Sequence, residues 1–286
     1  MKFFWMQQHR EVFDLAAMGE VLQVSRQGYY AWQDRPAAPA TLRRQELREQ
    51  IRQIHAASDQ TYGSPRIQVE LVERQITCCV NTVARVMKRA GIRACTTSRF
   101  VPQTTDSQHD QPVFENVLNR EFTAELPHQK WVCDITYIPT GEGWLYLAAV
   151  LDLCSRKIVG WSMAEHLRTE LCTEALHMAI QTRKPSPGWL HHSDRGCQYA
   201  SEEYQKQLDL LGITCSMSRV GNCYDNAVIE SFWGTLKTEH VYRQEFATRE
   251  AAKTSIFLWI EGWYNRRRRH SAIGYQSPEA FEAGLN

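Results

Sequence analysis

The chain has 286 residues, 43% hydrophobic and 10% aromatic, with a net charge of +1, a length that predicts about two domains with a filled core. No apolar run approaches the roughly 20 residues a membrane helix needs, and the opening Met1-Lys2-Phe3-Phe4-Trp5-Met6 is too short for a secretory signal. Nine scattered cysteines with no C-x-x-C pair argue against a disulfide framework or a zinc ribbon, and read as buried thiols of a soluble cytosolic protein.

Charge is uneven along the chain. Twelve Lys and Arg stand against five Asp and Glu between Arg35 and Arg99, and Arg266-Arg267-Arg268-Arg269 forms a cationic knot. Local basic patches on a near-neutral protein fit nucleic-acid contact, although solvated helix faces look similar.

In chain order, residues 12–22 read as an amphipathic helix, followed by the turn Gln23-Val24-Ser25. Ser25 is a suitable N-cap for a helix from Arg26 to Asp34, closed by Pro36 and Pro39. Helix, short turn and helix outline a helix-turn-helix over residues 1–36, an outline that ordinary helical hairpins share. Residues 37–95 predict a basic helical region. Leu47, Ile51 and Ile54 keep helical spacing, and Ser64-Pro65 supplies a cap and a first-turn proline for a helix carrying Ile67 and Leu71. Asn81 is the expected cap of a further helix, with Val83, Val86 and Met87 inward and Gly91 at its end. Its other face carries Arg85, Lys88 and Arg89, a stripe that suits either DNA phosphates or solvent.

Residues 96–126 lapse into Thr, Ser, Gln, Asp and Pro and read as a linker centred on Thr104–Gln108. The texture then changes. Trp131–Ile138, Trp144–Asp152 and Lys157–Met163 predict an antiparallel meander, and a helix over Thr169–Thr182 follows. Gly188–Asp194 predicts a strand, Ser201–Leu211 a helix and Ile213–Met217 a last strand. Strands separated by helices imply parallel neighbours, hence an α/β mixed sheet with flanking helices over residues 127–286.

Three carboxylates stand out by placement. Asp134 sits in an otherwise apolar strand, Asp194 closes a strand, and Glu230 lies on a helix capped by Asn222. A charge in a core strand is costly unless paired or bound to metal. Three converging acids raise one another's pKa values, and a divalent cation removes that penalty. Oxygen ligands with room for water and phosphate point to magnesium or manganese.

Sixty positions separate Asp134 from Asp194, and 35 residues lie between Asp194 and Glu230. This spacing resembles the DDE triad of transposases and retroviral integrases. The surrounding words, Trp131-x-x-Asp134-Ile135-Thr136-Tyr137, Leu151-Asp152-x-x-Ser155-Arg156, His192-Ser193-Asp194-Arg195-Gly196-x-Gln198-Tyr199 and Asp225-Asn226-Ala227-x-x-Glu230-Ser231-Phe232, resemble the IS-three family of insertion-sequence transposases. So does the tail Tyr264-Asn265-x-x-x-x-His270-Ser271-x-x-Gly274-Tyr275-x-Ser277-Pro278. Val24-Ser25-Arg26-x-Gly28-Tyr29-Tyr30-Ala31-Trp32 and Tyr62-Gly63-x-Pro65-Arg66-Ile67 resemble its second-frame product, from about residue 20 onward.

The resemblance implies a ribonuclease H-like catalytic domain with Asp134 on the first strand, Asp194 ending the fourth and Glu230 on a following helix. It implies two Mg2+ or Mn2+ ions activating water, and then a DNA 3′-hydroxyl, for attack on phosphodiesters. Lys237, seven residues after Glu230, resembles the basic residue placed against the DNA end, and Arg266, Arg267, Arg268 and Arg269 become candidate phosphate contacts. The expected partners are element ends, target DNA, further copies of the chain on DNA, and an upstream first-frame part. The expected location is the bacterial cytoplasm, at the nucleoid.

His192 shares a strand face with Asp194 and is a candidate to support that acid without itself holding metal, while Asn226 either faces the site or supports the helix start. His191 and His192 lack a third ligand at a zinc-like spacing, and Asp152 reads as a turn residue. Trp233, Trp259 and Trp263 read as core. A nuclease that cuts without joining, and a DNA-binding regulator, are the competing functions.

Overall fold

A computed structural model describes residues 1–36, 38–95, 112–220 and 222–285. The centre of the expected linker lies outside the described residues. Among those described, no helix is long and apolar enough to cross a membrane. The chain divides into two compact units, residues 1–53 and 54–286.

The first unit holds α1 (Lys2–Gln8), α2 (Leu15–Leu22), α3 (Arg26–Gln33) and most of α4 (Pro39–Ala57). Asp14 caps α2 by accepting from the Ala16 amide at 2.8 Å, and Ser25 caps α3 through Gly28 at 3.0 Å. Gln23 takes a left-handed turn between them. Buried Met6, Met18 and Tyr29 form the core, with Phe3 and Trp32 packed on it. Helix α1 was not expected. Its first turn has no side-chain cap, and Met6 and Phe3 tie it to α2 and α3 by packing.

In the second unit, α5 (Ser64–Glu73) and α6 (Val80–Arg89) follow the expected apolar spacing, burying Ile67, Leu71, Val83, Val86 and Met87. The expected caps move. Gly63 and Cys79 precede these helices, neither with a side-chain cap bond, and Ser64 and Asn81 already lie inside. Residues 112–126 are irregular, yet Leu118 is buried and Phe122 packs beside it, so this part of the expected linker belongs to the core.

The sheet holds β1 (Lys130–Thr140), β2 (Gly143–Asp152), β3 (Ile158–Ala164), β4 (Leu190–Ser193) and β5 (Thr214–Met217), in the order β3-β2-β1-β4-β5. The first three strands pair antiparallel, and β4 runs parallel to both β1 and β5. Its helices are α7 (Thr169–Arg183), α8 (Cys197–Ala200), α9 (Glu202–Leu210), α10 (Ala227–Glu239), α11 (Arg249–Phe257) and α12 (Pro278–Ala283). The four-residue α8 was not anticipated.

Alternation along β1 and β2 supplies two cores, one on each face. Trp131, Cys133, Ala148 and Val150 pack with Leu171, Leu176, Tyr204 and Leu208 of α7 and α9. Val132, Leu147, Ala149 and Leu151 pack with Ile229, Phe232 and Leu236 of α10 and Ile256 of α11. Gly160 lets α7 close on β3, because a Cβ there would stand 2.2 Å from the Ala175 carbonyl oxygen. Helix α11 widens into a π-helical stretch over Leu258–Tyr264 that buries Trp259, Ile260 and Tyr264. The mixed sheet, its flanking helices and the helical region before it agree with the ribonuclease H-like expectation.

Candidate active site

Strands β1 and β4 are in register, with Lys130 opposite Leu190 and Cys133 opposite Ser193. One step further along each strand stands an acid, Asp134 and Asp194. Adjacent strands lie about 4.8 Å apart, so the two carboxylates meet at the point where β4 ends. Asp134 shares its face with Val132, towards α10, and small Ala149 opposite it on β2 leaves room. Glu230 stands in the first turn of α10, which packs on β1. All three acids are half-buried, reachable by solvent from one side.

The acids feel one another. Burial, then the Asp194 charge, pushes the Asp134 carboxyl well above its ordinary 3.8, with a smaller push from Glu230. Burial and then Asp194 also raise Glu230. Each Asp is oriented by a donor. Trp233 Nε1 donates to Asp134 Oδ2 at 2.8 Å, and the Gly196 amide to Asp194 Oδ1 at 2.9 Å.

The donor set fits a hard cation in kind: three carboxylates whose mutual repulsion positive charge would relieve. It is not closed. Among the described residues, no three His, Cys, Asp or Glu side chains are grouped as a ready cage. Beside the acids, Asn226 is buried; its Nδ2 donates to the Cys133 carbonyl at 3.5 Å and its Oδ1 has no protein partner. It supports the strand bearing Asp134.

His192 is locked between two hydroxyls of the β5 end, Nδ1 to Ser216 at 2.8 Å and Nε2 to Ser218 at 3.2 Å. Burial lowers it to about 4, so it is a neutral spacer behind the acids and touches none of them. His191 points to the other face, 2.9 Å from the Tyr204 hydroxyl. Lys237 lies on α10 two turns after Glu230 and is largely buried; burial lowers its pKa, while the Asp134 charge acts in the opposite sense. Asp152 accepts from Cys154 in a turn, and from His128 and Trp131.

The arginine run departs from expectation. Arg268 grips Glu239 at the end of α10 with two bonds of 2.7 Å, and Arg66 of α5 reaches the same carboxylate at 3.4 Å. Arg269 binds Glu70 at 2.6 Å and also Glu73. With Arg66, these two arginines fasten α5 to α10 and are turned away from the surface a phosphate would meet. The Arg268–Glu239 pair is bidentate and buried, the geometry in which a guanidinium fork holds a carboxylate most firmly. Arg266 and Arg267 remain outward, as do Arg85, Lys88 and Arg89 on α6.

Two contributors escaped the sequence reading. Trp233 reads as core, and only its place three residues after Glu230 hints that its indole faces the acids. Asp225 is fully buried and accepts from Asn116 and Arg120 at 2.8 Å and from the Arg219 amide at 3.0 Å. Burial alone would raise it, but the Arg120 bond and its neighbours hold it below the ordinary range. It fixes the 3-10 turn Cys223–Asn226 from which α10 starts.

Comparison with known proteins gives the family. Residues 124–223 and 211–278 match an integrase core domain, and residues 42–100 match an HTH-like domain. Transposase InsF for insertion sequence IS3A of Escherichia coli K12 is 43% identical, over 99% of this chain and 98% of that protein. A 31 kDa protein of insertion element IS600 from Shigella sonnei is 43% identical over 92% and 97%. Solved structures of lower likeness include the simian T-cell lymphotropic virus intasome with PP2A regulatory subunit B56 gamma, at 15% identity and TM-score 0.47, over 80% of this chain and 73% of that one. The HTLV-2 integrase catalytic core domain with magnesium gives 15% identity and TM-score 0.43, over 56% and 99%. At 43% identity over nearly the full length of both proteins, with the acids standing where the sheet register brings them, the chain belongs to the IS3 (IS-three) family of insertion-sequence transposases, as a member of the InsF (OrfB) type.

Proposed function

We propose that Asp134, Asp194 and Glu230 are the carboxylates at which this transposase cuts and rejoins DNA, and that together they hold two magnesium or manganese ions. The β1–β4 register supports this most directly, since it carries two acids to one strand end in front of the helix bearing the third. When bound, the ions would supply a lowered pKa for water and then for a DNA 3′-hydroxyl, and would neutralise charge on the attacked phosphate.

The chain's own residues do the rest. Trp233 and the Gly196 amide each hold one oxygen of an Asp and so orient its carboxylate. Asn226 and His192 brace the strands behind. Lys237 balances negative charge next to Asp134. Arg85, Lys88, Arg89, Arg266 and Arg267 contact phosphates, which position DNA without reading its sequence. Residues 1–36 and 37–95 serve DNA binding and residues 127–286 catalysis.

Strand joining between defined oligonucleotides tests the reading. Joining in magnesium or manganese that stops in excess EDTA is expected. Joining that persists in EDTA, or that needs zinc, contradicts it. A single helix-turn-helix gives limited discrimination. The chain therefore works as an oligomer on DNA with an upstream first-frame part, whose fusion should sharpen protection of element ends; strong end-specific footprints by this chain alone would refute that dependence.

A further inference from the structure

Asp225 centres a polar cluster on the same sheet face as the acids. Val132 packs towards α10, its parallel partner His192 shares that side, and Asp134 and Asp194 follow two residues further along. His192 bonds Ser216 and Ser218 at the β5 end, and Ser216 Oγ accepts the Leu118 amide at 3.1 Å. Asn116 and Arg120 flank Leu118, and both donate to Asp225 at 2.8 Å.

The backbone ties this cluster to Asp194. The Ser218 amide donates to the Ser193 carbonyl at 2.9 Å, and Arg195 Nε to the Ser218 carbonyl at 2.6 Å. Arg219 comes next, about 3.8 Å on between Cα atoms. Its amide donates to Asp225 at 3.0 Å, in the turn that starts the helix bearing Glu230. The cluster thus joins the strand of one acid to the helix of another.

Its charges do not balance. Two guanidiniums meet the buried Asp225 carboxylate, Arg120 Nε at 2.8 Å and Arg219 Nε at 3.8 Å. Among the described residues, neither pairs with a second carboxylate, and their side chains are 44% and 47% exposed. One positive charge is left over, facing solvent. Both groups are held in place. Arg219 Nη2 donates to Asn119 Oδ1, and the Arg120 guanidinium lies 5.7 Å from the centroid of the exposed Tyr224 ring. Asn119 and Arg120 take left-handed backbone, φ 43° and 65°, a costly state for a residue with a side chain that persists where surrounding contacts impose it. Neutralising Asp225 accounts for Arg120. It does not account for a second arginine at 3.8 Å, half in water.

We infer that Arg120 and Arg219 form a fork for a backbone phosphate of the DNA strand held at the acids, neighbouring the phosphate attacked. The inference rests on reading Asp134, Asp194 and Glu230 as the place of attack. Three acids repel DNA, and a fixed positive pair beside them draws the strand in. Guanidinium planes match phosphate oxygens, and holding them in advance saves the cost of ordering them on binding. The contact senses charge and not bases, so the ligand is a phosphodiester of any sequence.

The test uses the whole chain and a short duplex that one molecule covers, ending in a free 3′-hydroxyl. Calcium replaces magnesium, so that binding is read without cleavage. Arg219→Gln leaves Asp225 its Arg120 bond and the backbone amide of residue 219, so its unfolding midpoint should match the wild type's. It should bind about tenfold more weakly and flatten the salt dependence by about one unit of slope. Arg120→Lys keeps the charge without the planar fork and should weaken binding in the same direction. A methylphosphonate, which makes one phosphate neutral, should weaken the wild type when placed at the duplex end. Arg219→Gln should lose little more from it, whereas the same change a helical turn further in should weaken both proteins alike. An unchanged salt slope in Arg219→Gln overturns the inference. So does an end methylphosphonate whose effect adds in full to that of the variant. Failure to join strands in magnesium would bear on the acids alone, because no metal-driven step enters these measurements.

Discussion

The indole N–H of Trp233 donates to Asp134 Oδ2 at 2.8 Å, so a residue of the catalytic helix orients the acid of the central strand. The bond works against the burial that raises Asp134, since it favours the ionised form. It also ties α10, and with it Glu230, to β1.

Trp233→Phe keeps the ring and removes the donor. Asp134 should then hold its proton to higher pH, and metal must compete with that proton. The magnesium concentration for half-maximal joining should rise about tenfold, the usual scale for losing an outer hydrogen bond to a ligand. The pH profile should move to the alkaline side. An unchanged magnesium requirement would show that the bond is only packing.

The arginine run should split into two pairs. Arg268→Ala leaves buried Glu239 with only the longer contact to Arg66 and should cost about 3 kcal/mol of stability, read by denaturant unfolding. Arg269→Ala should also destabilise, by less, because its partner Glu73 is exposed. Arg266→Ala and Arg267→Ala should leave stability alone and flatten the salt dependence of DNA binding by about one unit of slope each. The opposite pattern would return Arg268 and Arg269 to the phosphate surface.

The acids were legible because each broke a local rule. Asp134 interrupts an apolar strand and Asp194 ends one, and charge in such places has few cheap explanations. The meander and the parallel strands were legible from period and spacing. Arg268 and Arg269 were not, because a run of four arginines looks the same whether it meets DNA or carboxylates on other helices of the fold. Glu70, Glu73 and Glu239 look like solvated helix charges until the fold brings them in. Asp225 hid inside a motif whose neighbour Glu230 drew the attention, and two of its three donors, Asn116 and Arg120, stand more than 100 residues away.

Acid should destabilise the fold through His191. Burial, then His192, lowers it from 6.5 to about 3. Between those values the unfolded chain binds a proton that the folded chain refuses. The stability is complete above about pH 6.5 and is lost as pH falls towards 3, at about 1.4 kcal/mol per pH unit for one group. His191→Gln removes that proton, so its stability between pH 7 and 5 should fall less steeply than the wild type's. Equal slopes would mean that His191 titrates normally.

The central claim is that Asp134, Asp194 and Glu230 act together on one phosphodiester. Glu230→Gln tests it most directly, because that side chain touches no structural node and its amide is nearly the same size. The account predicts loss of both cleavage and joining in magnesium, by at least about a hundredfold, with DNA affinity kept because phosphate contacts elsewhere supply most of it. A Glu230→Gln protein that binds DNA and still joins strands at close to the wild-type rate would contradict it.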